Sequence, residues 1–190
     1  MTSTDLKALQ DTNLASNNSK AITAEKLREV TNQLIINNGG WVNYKFNTNT
    51  PITIDANNWA FLQDDGIASV NDSFIPYYKT DLFSISTINF SGFPLGTVIS
   101  VKNIVNVSAD EANTNLELRA RFLNSDEQLV STEIFDYKLL TVASELQDLA
   151  SFISFPITSE LLNGYVYFEI RSRSNAGISA YWKECFIKVN

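Results

Sequence analysis

From Trp41 onward, short apolar runs recur at roughly ten-residue spacing, separated by Asn, Asp, Gly and Pro, with no helical pattern between them. The runs are Trp41–Phe46, Ile52–Asp55, Trp59–Leu62, Leu82–Phe90, Thr97–Val107, Asn115–Leu123, Leu129–Phe135, Ser151–Pro156, Tyr165–Arg173 and Ser179–Val189. Short strands at this rhythm fold as an antiparallel sandwich or barrel. The clearest alternation is Leu116, Leu118, Ala120 and Phe122 against Glu117, Arg119 and Arg121, which predicts a half-buried strand. Asp136–Leu149 is ambiguous: Leu139, Leu140, Val142, Leu146 and Leu149 suit strand and loop or a short helix.

Ahead of the strands the periodicity changes. In Ile22–Gly40, Leu27, Val30 and Leu34 make one apolar stripe at helical spacing. Thr23 serves as N-cap, Ile22 packs on Leu27 as a staple, and Asn37-Asn38-Gly39-Gly40 stops the helix. At about 20 Å such a helix is marginal alone in water, so its stripe needs a partner, and copies of itself would serve. Residues 1–21 hold a thinner stripe, Leu6 and Leu9, and a polar connector from Leu14 to Lys20. The division expected is residues 1–40 as N-terminal anchor and short helical oligomerisation segment, and 41–190 as a β-sandwich head.

Two strands carry apolar residues on both faces. In Tyr165–Arg173, Val166, Phe168 and Ile170 face one way and Tyr165 and Tyr167 the other. In the last run, simple alternation groups Tyr181, Cys185, Ile187 and Val189 against Trp182 and Phe186. A sandwich strand has one core face, so the second needs a cover: a subunit contact, or a loop of the same chain. Tyr165, Tyr167, Trp182 and Phe186 are therefore the candidate oligomerisation residues of the head, beside Leu27, Val30 and Leu34 of the helix.

The residues exclude much chemistry. There is no histidine, which removes Ser-His-Asp, Cys-His and His-based metal sites. The single cysteine, Cys185, sits in a strand-like run and reads as a small core hydrophobe. Asp64-Asp65-Gly66 and Asp110-Glu111, with Asn113 and Asn115, offer oxygens but fit turns better than a Ca²⁺ loop. Glu117, Glu133 and Glu169 alternate with core residues and are expected among exposed polar side chains, not as a glycosidase pair. No catalytic residue, cofactor or metal is assigned, and no glycine-rich phosphate loop occurs. A net charge of -7 argues against nucleic acid as partner. The start Met-Thr-Ser-Thr-Asp has neither a basic nor an apolar leader region, and no run approaches a membrane span; synthesis and assembly in a reducing cytoplasm are expected.

Asn18–Ile35, with its I-T-x-x-x-L-R-x-V pattern, resembles a segment of bacteriophage fibre proteins in which a short helix precedes a β-structured C-terminal domain. Thr50-Pro51-Ile52-Thr53-Ile54, Trp59 and Asp64-Asp65-Gly66 are similar to that family's first hairpin region. Tyr78–Phe90 with Leu95-Gly96-Thr97-Val98-Ile99 resembles its middle, and Ala112–Leu118 one of its strands. Ala180-Tyr181-Trp182-Lys183 is similar to its final Trp-bearing strand. The likeness spans nearly the whole chain, in packing and turn patterns and not in reactive groups. It implies a TNF-like trimer of jelly-roll heads in a virion made in the host bacterial cytoplasm. Residues 1–21, through Leu6, Leu9 and Leu14, would dock on another virion protein of capsid or tail. The lack of an extended shaft favours a non-enzymatic head fibre or decoration protein. The alternative is a tail-fibre or receptor-binding tip, where Trp59, Tyr77 and Tyr78 would stack on a host-surface glycan.

Overall fold

The computed structural model describes residues 41–47, 50–71, 82–84 and 86–189. The predicted helix and anchor, with Leu6, Leu9, Leu14, Leu27, Val30 and Leu34, lie outside the described residues. Twelve strands follow in order: β1 (Trp41–Phe46), β2 (Ile52–Ile54), β3 (Ala60–Phe61), β4 (Ile67–Asn71), β5 (Phe83–Ser84), β6 (Thr87–Asn89), β7 (Val98–Ala109), β8 (Thr114–Leu123), β9 (Leu129–Leu140), β10 (Gln147–Pro156), β11 (Tyr165–Ser172) and β12 (Ile178–Val189).

They form two antiparallel sheets packed as a jelly-roll sandwich. Sheet I runs β10-β7-β12-β1-β4, with β2 also on β12; sheet II runs β5-β6-β11-β8-β9, with β3 also on β11. Chain neighbours such as β7 and β8 lie in opposite sheets, so the connections cross the sandwich and the inner faces close on one core. Alternation sets that core: Leu116, Leu118, Ala120 and Phe122 of β8 meet Val166, Phe168 and Ile170 of β11 within sheet II, all buried. From sheet I, Phe155 packs edge-on against Phe122 at 4.7 Å between ring centroids.

Turn chemistry fits the hairpins. Asn124 Oδ1 accepts the backbone N–H groups of Asp126 (3.0 Å) and Gln128 (2.9 Å), closing the β8–β9 turn. Gly164, ahead of β11, is required by space: a Cβ there would lie 2.0 Å from the Leu123 carbonyl oxygen.

Two sequence expectations resolve here. Asp136–Leu149 contains no helix: β9 continues to Leu140 and β10 begins at Gln147. Pairing with β8 carries β9 past the expected end, from Asp136 opposite Leu118 to Leu140 opposite Thr114, and Leu140 is buried in the core. The second is a correction. Simple alternation put Trp182 on the outer face with Phe186, but Trp182 is fully buried among Phe46 (4.8 Å), Phe83 (5.5 Å) and Phe168 (6.2 Å). The cause is a bulge: in the β12–β7 register Trp182 pairs with Val105 and Glu184 with Ile104, leaving Lys183 as an extra residue. Before the bulge Ala180 and Trp182 point inward; after it Cys185 and Ile187 do. Trp182 is therefore a core residue of its own chain.

Candidate functional site

Each sheet presents an outer face, and the two are built differently. On sheet II, β8 and β11 set opposite residues side by side: Glu117 faces Arg171, Arg119 faces Glu169, and Arg121 faces Tyr167. Glu117 and Glu169 are only 2% and 8% exposed, although they point away from the core. Burying a carboxylate is costly unless it is paired and hydrogen-bonded, and here both are. Glu117 Oε2 accepts from Arg171 Nε (2.6 Å) and Nη2 (2.5 Å), while its Oε1 lies 3.2 Å from Arg173 Nη1. Glu169 Oε2 accepts from Arg119 Nε at 2.5 Å.

Trp59, just ahead of β3, then lies over two of these guanidinium groups, 3.9 Å from Arg119 and 4.5 Å from Arg171 to the ring centroid. Phe61 packs edge-on against Tyr167 at 5.0 Å, and Arg121 lies 5.7 Å from the same ring. Tyr165 and Tyr167 do point outward, as alternation predicts, but Tyr167 is covered by groups of its own chain. The expectation that Glu117 and Glu169 are exposed is overturned, and Glu133 alone of the three acids is exposed. Trp59 is likewise half-buried and clamped, not a free stacking platform; Tyr77 and Tyr78 lie outside the described residues. The arginines were the signal that single-strand reading passed over. Only the register across β8 and β11 shows each one opposite an acid or a tyrosine.

The reactive groups are similarly engaged. Burial pushes the Cys185 thiol well above its ordinary range, so the reactive thiolate is disfavoured. Burial also raises Tyr165 and Tyr167, Tyr165 further through Glu127, while Arg121 pulls Tyr167 partly back. Asp64 ties its turn to the β5–β6 corner: it accepts Gly66 N–H and Ser86 O–H, each at 2.8 Å, and Ser86 Oγ accepts Asp64 N–H at 3.0 Å. Asp65 accepts Thr50 N–H at 2.8 Å. Among the described residues no group of three or more His, Cys, Asp or Glu side chains is placed to hold a metal ion.

The outer face of sheet I is open and aromatic. The register lines up Asn43, Phe186, Lys102 and Phe152 across β1, β12, β7 and β10, and next to them Trp41, Lys188, Ser100 and Ser154. Ser100 and Ser154 share a 3.0 Å hydrogen bond, a low floor over which Trp41 reaches Phe152, ring centroids 6.3 Å apart. Trp41 is 38% and Phe152 54% exposed. Lys102 Nζ lies 5.4 Å from the Phe186 ring, and Lys45 pairs with Glu184 at 3.5 Å. Of the predicted head contacts, the structure places Phe186 on this face, Tyr165 and Tyr167 on the opposite one, and Trp182 on neither. Trp41, first in its strand, and Phe152, mid-strand on β10, carry no periodic apolar signal on their outer face, and only the register of β1, β12, β7 and β10 brings them together.

The chain matches no protein-family model, and no curated protein matches its sequence. Its structure is similar to the VP2 subviral particle of infectious bursal disease virus, at 10% identity and a TM-score of 0.48. That match covers 79% of this chain and 32% of the VP2 chain, so the chain spans about a third of the capsid protein's length. It is also similar to Eiger TNF from S. frugiperda (10% identity, TM-score 0.42, covering 80% of this chain and 92% of that one). A third similar structure is the CBM22-1 xylan-binding domain of Paenibacillus barcinonensis Xyn10C (9% identity, TM-score 0.37, covering 73% and 92%). The jelly-roll assignment stands on the chain's own strand order in its two sheets.

Proposed function

We propose that this chain is a non-enzymatic structural protein of a bacteriophage virion: a homotrimeric head fibre or decoration protein. Residues 1–21 attach it to another virion protein, the segment 22–38 with its Leu27, Val30 and Leu34 stripe gathers three copies, and the jelly roll is the displayed head. The observation that carries this reading is the division of labour between the faces. Sheet II seals its own buried carboxylates with arginine and tryptophan, while sheet I leaves Trp41 and Phe152 exposed beside a half-buried Phe186, a face suited to a protein contact. Light scattering of the full chain should give a mass three times 21.3 kDa, and deleting residues 1–21 should abolish incorporation into particles while leaving the trimer intact. A monomeric full chain refutes the trimer, and undiminished incorporation refutes the anchor.

A second reading, a receptor-binding tip for a host-surface glycan, draws on one feature. An open cleft of about 510 Å³ is lined by Asn115, Leu116, Tyr137, Lys138, Leu139 and Arg173. It offers an exposed ring beside amide and cationic donors, as sugar sites do. Glycan-array binding lost in Tyr137→Ala would favour this reading over the structural one.

A further inference from the structure

The sandwich carries a second open surface besides the face of sheet I. Six of the twelve exposed large hydrophobic side chains among the described residues lie between Leu129 and Leu146, not counting Phe152 on the face of sheet I. That stretch is β9 and the loop that leads from it into β10. β9 ends sheet II and β10 ends sheet I, so together they form one side wall of the sandwich. Long edge strands with exposed apolar residues pair or aggregate unless blunted by charge, proline or a cover. Here the apolar side chains, Ile134, Tyr137, Leu139 and Leu146 among them, stay in the open.

The two surfaces carry opposite charge. The edge between Leu129 and Phe152 holds Glu133, Asp136, Glu145 and Asp148 against one lysine, Lys138, which pairs with Asp136 at 3.3 Å. The outer positions of β1, β12 and β7 hold Lys45, Lys102, Lys183 and Lys188 against one acid, Glu184, and Asp148, outward on β10 like Phe152, stands at the border of the two surfaces. Lysines thus gather around Trp41 and Phe186 on a chain whose net charge is -7. A twofold axis passing through either patch would set it against itself, lysine facing lysine or carboxylate facing carboxylate. Opposed charges on two different patches favour a heterologous contact, which gives a ring where the rotation between copies closes, as the homotrimer reading requires.

We infer that the acidic, apolar β9–β10 edge of one copy packs on the basic, aromatic β1–β12 face of the next. The occupant of each open surface is therefore a second copy of this chain. The inference rests on the homotrimer reading and adds the interface: Leu139 and Leu146 of one copy come against Trp41 and Phe186 of its neighbour, with Glu145 and Asp148 toward Lys45 and Lys188. It moves the head contact away from Tyr165 and Tyr167.

The test is carbodiimide cross-linking of the full chain, assembled from an equal mixture of ¹⁴N- and ¹⁵N-labelled copies. Mixed-isotope cross-links joining Glu133, Glu145 or Asp148 to Lys45, Lys102 or Lys188 are expected. An oligomer whose intermolecular cross-links all lie elsewhere overturns this interface and leaves the trimer standing; a monomer overturns both. Charge reversal gives the second arm, read as trimer dissociation by sedimentation velocity. Lys45→Glu with Lys188→Glu, or Glu145→Lys with Asp148→Lys, should each weaken assembly about tenfold or more, and the four together should restore most of it. If neither pair changes assembly, or the combination restores nothing, the edge-to-face contact is wrong.

Discussion

Glu117→Gln isolates the lattice on the outer face of sheet II. Glu117 is 2% exposed and answers two guanidinium groups, Arg171 through Oε2 and Arg173 through Oε1. Breaking a fully buried pair costs about 3–5 kcal/mol because a charge is left without solvent. Here the arginine side chains are 28% and 57% exposed, so both can turn back to water, and the cost drops toward that of a charged hydrogen bond. We expect about 2 kcal/mol, since a hydrogen bond to a charged group is worth ~1.5–3. In a domain of this size that lowers Tm by about 4–8 °C. Urea unfolding should show the midpoint falling with an unchanged slope, while exposed Glu133→Gln stays within about 0.5 kcal/mol. A double-mutant cycle with Arg171→Met should return a coupling of about 1 kcal/mol or more. Additivity within about 0.3 kcal/mol, or a Glu117→Gln no worse than Glu133→Gln, would refute the claim that the face is held by paired charges.

Three further outcomes are expected. Trp182→Ala should cost about 3–5 kcal/mol by chemical denaturation, since it empties the space between three phenylalanine rings, whereas Phe186→Ala on the outer face should cost under half as much in the dissociated chain. Cys185 should resist a thiol reagent in the native protein at pH 8 and react only at the rate of unfolding; prompt labelling would contradict its burial. Tyr165 and Tyr167 should ionise above the ordinary tyrosine value of 10.0 in a spectrophotometric titration. Because their folded-state pKa lies above the unfolded one, their contribution is intact below pH 10 and is lost as pH rises past it. Stability should therefore fall with alkaline pH, less so in Tyr167→Phe.

Much of the sandwich was legible because period-two alternation is a local signal. The run Leu116–Phe122 declared both its faces, and the strand at Trp41–Phe46 has the bounds expected from its sequence. β4 escaped notice because Ile67 and Val70 are its only large apolar residues and both are exposed. The face of Trp182 was misassigned because a bulge shifts parity by one residue without changing composition. The arginine–carboxylate lattice was illegible for a different reason: Glu117 and Arg171 are 54 positions apart, and Arg119 and Glu169 50. Each strand separately reads as solvated charge, and only their register makes a buried network. The same holds for the side wall, whose apolar residues are scattered along β9 and the loop after it and form a surface only because β9 ends its sheet.

The position of β1 in sheet I has a mechanical meaning. The chain enters the described fold at Trp41, and β1 lies between β12 and β4, hydrogen-bonded in register to both. A tether pulling on residue 40 along the strand axis would strain those ladders together, in shear, instead of unzipping one bond at a time from a free edge. A head leashed through an interior strand resists detachment as a rope resists being drawn through a clamp.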